Sequence, residues 1–456
     1  MSPSQAVRSR TAWHSHSPVA HPERMPMMAL NRSLRTFGSA VALTAASALL
    51  LAGCSSSAGS DTGAVTLEFW GWAPGLETAV ETWNDTNPDI QVEFFRMTGD
   101  DGAKIPPAID AGTAPDAVQM SVHSLPGHII NNRLIDIGEY TDGLDASFTA
   151  SSWKGVEFGD GVYAIPQDSG PTGLMYRSDI FTQYNLAAPT TWDEYLETAR
   201  ALKAANPDIY IGQFSPNEIG LWTEQVWQNE GTFNTIDGDA WTVEVDNDKS
   251  QEVAAIWQTL VDEQLVKVVD MWTPEYWAEV NAGTIASINY AAWFPALLAE
   301  NAADLTGKWS VAPSPTFAGS DAAGETGGSV DVVPTGTENV EQAVEFLTWL
   351  NSSDESLDIL IKEGGLFPTA LAGLDNPAML TEQEFFGGQV INEVFIDAAK
   401  NVPSSWVDGP NYDITQDALK DEFAKVGTGA QTFAEALDAV QALTVTNLKD
   451  SGLSVK

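Results

Sequence analysis

Between Val65 and Met120 the chain alternates strand and helix signals, and this alternation restricts the fold more than any other feature. Val65 to Trp70 (VTLEFW) is a short, β-rich apolar run, and Pro74 and Gly75 punctuate the turn after it. Leu76, Val80 and Trp83 then recur at helical spacing over residues 76–87, and the helix stops before Asn87-Pro88. Ile90 to Phe95 reads as a second strand, 103–111 as a helix ending at Gly112, and Asp116 to Met120 as a third strand. Strands separated by helices favour parallel pairing with helices on the sheet faces, so an α/β layer is expected. At 456 residues the chain exceeds what one hydrophobic core supports, and two lobes are expected.

Further along, Thr191-Trp192-Asp193-Glu194 reads as a capping box, with Thr191 as N-cap and Glu194 three residues on. Tyr195, Leu196, Ala199 and Leu202 mark the buried face of the helix it opens, which ends before Pro207. A helix is expected over 339–351, a strand or extended connector over 310–315, and two amphipathic helices in the last 40 residues.

Residues 30–54 read as an address, while residues 1–28 fit no signal pattern. Arg32 and Arg35 precede an apolar stretch from Phe37 to Leu51, which is too short and too rich in small residues for a membrane span. It ends at Leu51-Ala52-Gly53-Cys54, which resembles a bacterial lipobox. Cys54, the single cysteine, is the expected lipidation site: its thiol would carry a diacylglyceryl group after cleavage. Residues 55–64 (SSSAGSDTGA) are a flexible polar tether. Anchor and tether together place the folded part on the outer face of the cell membrane.

Charge excludes partners more than it names them. The chain carries 63 acidic and 21 basic residues, a formal charge of −42. That field repels nucleic acid phosphates and anionic headgroups. One cysteine rules out an internal disulfide and a thiolate zinc site, and beyond His14, His16 and His21 only His123 and His128 remain. No metal and no cofactor is expected. Phosphate-binding loops, nucleophile elbows and the His-Glu-x-x-His motif are missing from the sequence. Asp237-Gly238-Asp239 and Asp246-Asn247-Asp248 are acidic turns without the spacing of a twelve-residue calcium loop.

Several segments, in order, resemble one family. VTLEFWGW with its helix and Asn87-Pro88-Asp89-Ile90 is similar to the first β-α-β unit of the extracellular solute-binding proteins of ABC importers, of the maltose-binding type. Ala111-Gly112-Thr113-Ala114-Pro115-Asp116, Gly161 to Pro166 with Gly173 to Arg177, and Pro189 to Glu194 resemble later family motifs. Gly283 to Trp293, Glu341 to Leu350 and Gly365 to Pro368 follow in the family's order, with Ser287 in place of the usual methionine. The resemblance implies an α/β, two-lobed periplasmic-binding-protein-like fold of type II, with the ligand cleft between the lobes. With a signal peptide and extended N-terminus at 1–53 and lipidated Cys54 and tether at 54–64 read from the residues themselves, it implies a first lobe of 65–170 plus 328–352 and a second of 171–327 plus 353–456. It also implies a monomer that captures a carbohydrate and hands it to ABC permease subunits in the membrane, without catalysis.

Indole faces pack on the C–H faces of pyranose rings while carboxylates and amides hold hydroxyls. Sixteen tryptophans are present, nine of them between Trp192 and Trp309, and each serves either the core or such a cleft. Trp72 follows the first strand, and Gln119, Ser121 and His123 belong to the third strand and the rim after it, where α/β sheets bind ligands. Gln167 and Asp168 sit at the first crossover, and Gly328 and Asp331 at the second. Trp293 holds the position of a sugar-stacking tryptophan in the family, and Trp222, Trp227 and Trp406 are candidate walls of the second lobe. Maltose-type relatives carry an acidic ligand residue where this chain has Gly170, which argues against maltose. Two other readings stay open: the same fold holding a polyol, glycerol phosphate or peptide, and a secreted glycoside hydrolase with a carboxylate pair.

Overall fold

In the computed structural model, residues 64–97, 104–238 and 240–456 are described; Cys54, the apolar stretch before it and Asp239 lie outside them. Strands Val65–Gly71, Ile90–Arg96 and Ala117–Ser121 form where the alternation predicts, with helices Leu76–Thr86 and Ile105–Asp110 between them. The three strands pair in parallel. Two later strands complete the sheet, in the order 90–96, 65–71, 117–121, 329–332, 164–168. Ser329–Val332 runs antiparallel to both of its neighbours, so the layer is mixed rather than wholly parallel.

A second set of strands centres on Thr172–Arg177, which pairs antiparallel with Ser287–Ala291 and Trp309–Pro313. Gly212–Phe214 and Val266–Val268 form a parallel pair tied to this sheet through a bridge between Tyr210 and Ile285. The chain therefore changes sheets between Asp168 and Thr172 and returns between Pro313 and Ser329. The two crossings touch: Thr326 N donates to Gly170 O at 2.9 Å, and Pro171 bridges Glu325. A third segment joins them, with Ser169 N donating to Phe367 O at 3.0 Å.

Helix Trp192–Ala205 starts at the expected cap, and Tyr195, Ala199 and Leu202 are buried. Thr191 Oγ1 accepts from Glu194 N at 3.1 Å, but Glu194 Oε2 reaches back to Thr190 N at 2.8 Å instead of to Thr191. The two C-terminal helices, Tyr412–Gly427 and Phe433–Asp450, pack on each other, and the second on Asp248–Asp262. Asp354–Gly364, which the sequence resemblance places in the second lobe, packs on Leu76–Thr86 and Val340–Ser352; Thr78 Oγ1 donates to Glu363 Oε2 at 2.7 Å. Asn247 of the acidic turn 246–248 is a helix cap, accepting from Lys249 N and Ser250 N at 2.8 and 2.9 Å. No helix among the described residues is long and apolar enough to cross a membrane.

Candidate functional site

Two adjoining cavities of about 410 and 580 Å³ open beside the crossings. The rims of Ala117–Ser121 and Ser329–Val332 form one side, and segments around 217–227, 290–293 and 404–420 form the other. His123, Trp227, Glu325 and Trp406 border both cavities and form the partition between them.

Each cavity has an indole wall. Trp227 and Trp406 stack with ring centroids 5.5 Å apart and planes 18° from parallel. Trp272 and Trp293 stack at 6.2 Å and 24° beside the larger cavity, with Tyr290 edge-on to Trp293 at 5.0 Å. Every indole N–H of the four is anchored: Trp227 to Pro403 O (2.6 Å), Trp406 to Asp408 Oδ1 (2.9 Å), Trp272 to Glu218 Oε2 (2.7 Å) and Trp293 to Thr326 O (3.3 Å). Anchored rings present fixed apolar faces, with little rotamer freedom left to lose on binding.

Local sequence explains these placements. On helix Gly220–Gln228, Gly220, Thr223 and Trp227 are spaced by three and four and share the cleft face. Trp222 lies five residues before Trp227 and points to the core against Phe233 and Phe423, so it is not a wall of the cleft. Trp293 occupies the N-cap position of helix Phe294–Asn301, two residues after strand Ser287–Ala291. Trp272 is 41% exposed and has φ +68°, an unusual backbone for a bulky residue. Exposure costs Trp272 the burial most tryptophans gain, and strain of this kind gathers at ligand sites.

The polar groups between these walls are acidic and desolvated. Asp168 accepts from Ser329 N at 2.6 Å and from Ser329 Oγ; burial raises its carboxyl above the usual range and these bonds oppose the rise. Burial pushes Glu325 up to about 7, while nearby His123 and a bond from the Gly170 N–H pull the other way. Gly170 has no room for a side chain, because a Cβ there would overlap the Thr326 carbonyl oxygen. The carboxyl at this level of the cleft comes from Glu325 on the opposite crossing. His123 Nδ1 lies 2.8 Å from Asp408 Oδ2, and its ring stacks on Tyr412 at 4.8 Å.

Of the residues singled out from sequence, Ser121, His123, Asp168, Trp227, Trp293, Gly328 and Trp406 border the cavities. Gly328 has φ +113°, which glycine alone adopts readily. Gln119, Gln167 and Asp331 do not border them; they form a buried network behind the rim. Gln119 Oε1 accepts from Trp72 N (2.8 Å) and Ala73 N (3.1 Å), and Gln119 Nε2 donates to Gln167. Gln167 Nε2 and Asn351 Nδ2 both donate to Asp331 Oδ2, at 2.9 and 2.7 Å. Burial raises Asp331 to about 7. Trp72 is half-buried outside both cavities. Glu218, Trp272, Tyr290, Glu325, Asp408 and Tyr412 border the cavities without having stood out in the sequence. The only sequence feature near Glu325 is the glycine pair Gly327-Gly328 at the second crossing, which marks the crossing but not the carboxyl. No group of three or more His, Cys, Asp or Glu among the described residues is placed to hold a metal ion.

Known proteins are similar to this chain in sequence and in fold. The arabinooligosaccharide-binding protein of Halalkalibacterium halodurans is 25% identical over 372 residues, covering 75% of this chain and 80% of that protein. The lactose-binding protein of Rhizobium radiobacter is 26% identical over 389 residues, covering 80% and 87%. The galacto-N-biose/lacto-N-biose I-binding protein of an ABC transporter from Bifidobacterium longum, solved with lacto-N-biose, superposes with a TM-score of 0.77 at 26% identity, over 86% of this chain and 99% of that one. The fold is thus the two-lobed, type II binding-protein fold. The family profile described as bacterial extracellular solute-binding protein matches residues 71–356, well over half of the sequence, and this chain belongs to that family.

Proposed function

We propose that this chain captures an uncharged carbohydrate in the cleft between its two sheets and delivers it to the permease of an ABC importer, held at the outer face of the membrane through Cys54. The observation that carries the reading is the pair of anchored indole stacks, Trp227–Trp406 and Trp272–Trp293, with the carboxyls of Asp168, Glu218 and Glu325 beside them. Indole faces suit pyranose C–H surfaces, and acceptor-rich walls suit hydroxyl donors. Two stacks in two adjoining cavities fit a ligand of at least two rings. The sugar-binding names of the relatives support the same class.

The purified full chain, incubated with a panel of neutral mono- and oligosaccharides, is expected to gain thermal stability with at least one of them and to leave it intact. Product formation would favour the glycoside hydrolase reading, and stabilisation only by polyols, glycerol phosphate or peptides would move the ligand class. For the anchor, Cys54→Ser is expected to shift the protein from the membrane fraction to the medium; retention of the variant on the membrane would refute lipidation at Cys54.

A further inference from the structure

The partition between the two cavities is assembled from both sheets. His123 lies in the short 3₁₀ turn Val122–Ser124, directly after the first sheet's strand Ala117–Ser121. Trp406, Val407 and Asp408 belong to a segment packed on the second core. That segment is tied there by Val407 N to Thr232 Oγ1 at 2.9 Å, by Trp227 Nε1 to Pro403 O, and by Trp406 against Phe233 at 4.9 Å.

Asp408 stands where the two sides meet. One carboxylate oxygen, Oδ2, takes the His123 imidazole at 2.8 Å; the other, Oδ1, takes the Trp406 indole N–H at 2.9 Å. The side chains of His123 and Asp408 are only 12% and 11% exposed, so water competes little for the bond. Close backbone packing supports the contact: a Cβ on Gly127 would stand 3.1 Å from Pro410 O. Trp406 in turn stacks on Trp227.

We infer that Asp408 is a positioning residue through which His123, on the first sheet's rim, sets the orientation of the Trp406–Trp227 ring platform on the second. His123 holds the Asp408 carboxylate by Oδ2, which leaves Oδ1 directed at the Trp406 N–H. The Trp406 ring is thereby fixed from its N–H edge as well as from its stacked face. A glycan lying on that platform therefore meets a ring whose orientation is held from both sheets before it binds. The inference rests on the carbohydrate reading for its ligand, but the side-chain linkage is independent of it.

Two measurements on the full chain separate the two. The first needs no ligand. The indole N–H resonance of Trp406, identified by its loss in Trp406→Phe, is followed in Asp408→Ala, Asp408→Asn, His123→Ala and His123→Gln. Asp408→Ala is expected to move it. His123→Ala, which removes no group bonded to that N–H, is expected to move it as well, and His123→Gln, which restores a donor, to bring it back towards the parent position. An unmoved resonance in His123→Ala would overturn the coupling. The second measurement is affinity for whichever panel glycan the parent binds. Asp408→Ala and His123→Ala are each expected to weaken it roughly tenfold or more, with the double variant no weaker than the worse single. Fully additive losses would contradict a shared linkage. If the parent binds no glycan, the carbohydrate reading fails and the resonance alone decides. Asp408→Asn keeps an acceptor for the indole and serves if the alanine variant does not fold.

Discussion

Gly170→Ala tests whether the contact between the two crossings determines the site. The added Cβ would overlap the Thr326 carbonyl oxygen and stand 3.0 Å from the Thr326 carbonyl carbon and 3.1 Å from Ala291 Cβ. Backbone cannot rotate aside as a flexible side chain can, so the crossings must part. Overpacking of this kind costs about 1–3 kcal/mol. Separation also weakens the bond from Thr326 N to Gly170 O, now 2.9 Å, worth about 1 kcal/mol net. The expected loss is then roughly 3 kcal/mol. With an unfolding entropy of about 2.1 cal/mol/K per residue over roughly 400 residues, that corresponds to a drop of about 4 °C in melting temperature. Calorimetry on the parent and variant reads it directly. Gly155→Ala is the control, because its Cβ would meet Ser152 O at an ordinary 3.4 Å, and a shift below about 1 °C is expected. Displacing Thr326 also moves its neighbour Glu325, so Gly170→Ala is expected to weaken ligand binding as well. A variant melting within about 1 °C of the parent would refute the argument that the crossings are in fixed contact.

Three further outcomes follow from the same geometry. Trp272→Ala is expected to cost at least about tenfold in glycan affinity and less stability than removal of a fully buried tryptophan, since the ring is 41% exposed but still rests on Trp293, Tyr290 and Phe294; unchanged titration isotherms would remove Trp272 from the site. Trp222→Ala is expected to behave in the opposite way. It should cost about 3–5 kcal/mol in denaturant unfolding, because the ring is buried against Phe233 and Phe423, while the folded variant keeps its glycan affinity. Burial raises the Glu224 carboxyl from 4.5 to about 8, so the folded state holds a proton that the unfolded chain releases. Its contribution to stability is full below about pH 4.5 and is lost as pH rises towards 8. Glu325 and Asp331, both about 7, act in the same direction. Glu224→Gln is expected to raise the melting temperature at pH 8 more than at pH 5, and an equal change at both would contradict the burial argument.

Local elements were legible because their signals are local. The spacing of Leu76, Val80 and Trp83, the cap at Thr191 and the stop before Pro207 each depend on a few neighbouring residues, and the helices formed there. The site was legible only in part. Trp227 and Trp222 have the same composition signal, and the turn of one helix decides that the first faces the cleft and the second the core. Asp331 sits in the right strand but pairs opposite Gln119 and Ile165, so its carboxyl joins the network behind the rim. Trp272 and Asp408 carry no local motif: the first is set by a left-handed backbone, the second by a partner 285 residues away in sequence. Cleft residues gathered from distant segments are fixed by tertiary packing, which neither periodicity nor composition encodes.

Uptake of a carbohydrate between the indole stacks, without its transformation, is open to a direct test by titration calorimetry. The full chain is titrated with neutral disaccharides and longer oligosaccharides, and the recovered sugar is analysed by mass spectrometry. A saturable one-to-one isotherm is expected with at least one of them, abolished by Trp272→Ala combined with Trp406→Ala, and the sugar is expected back unchanged. Absence of heat across the panel, an isotherm that survives the double substitution, or a shortened sugar in the recovered sample would contradict capture in this cleft.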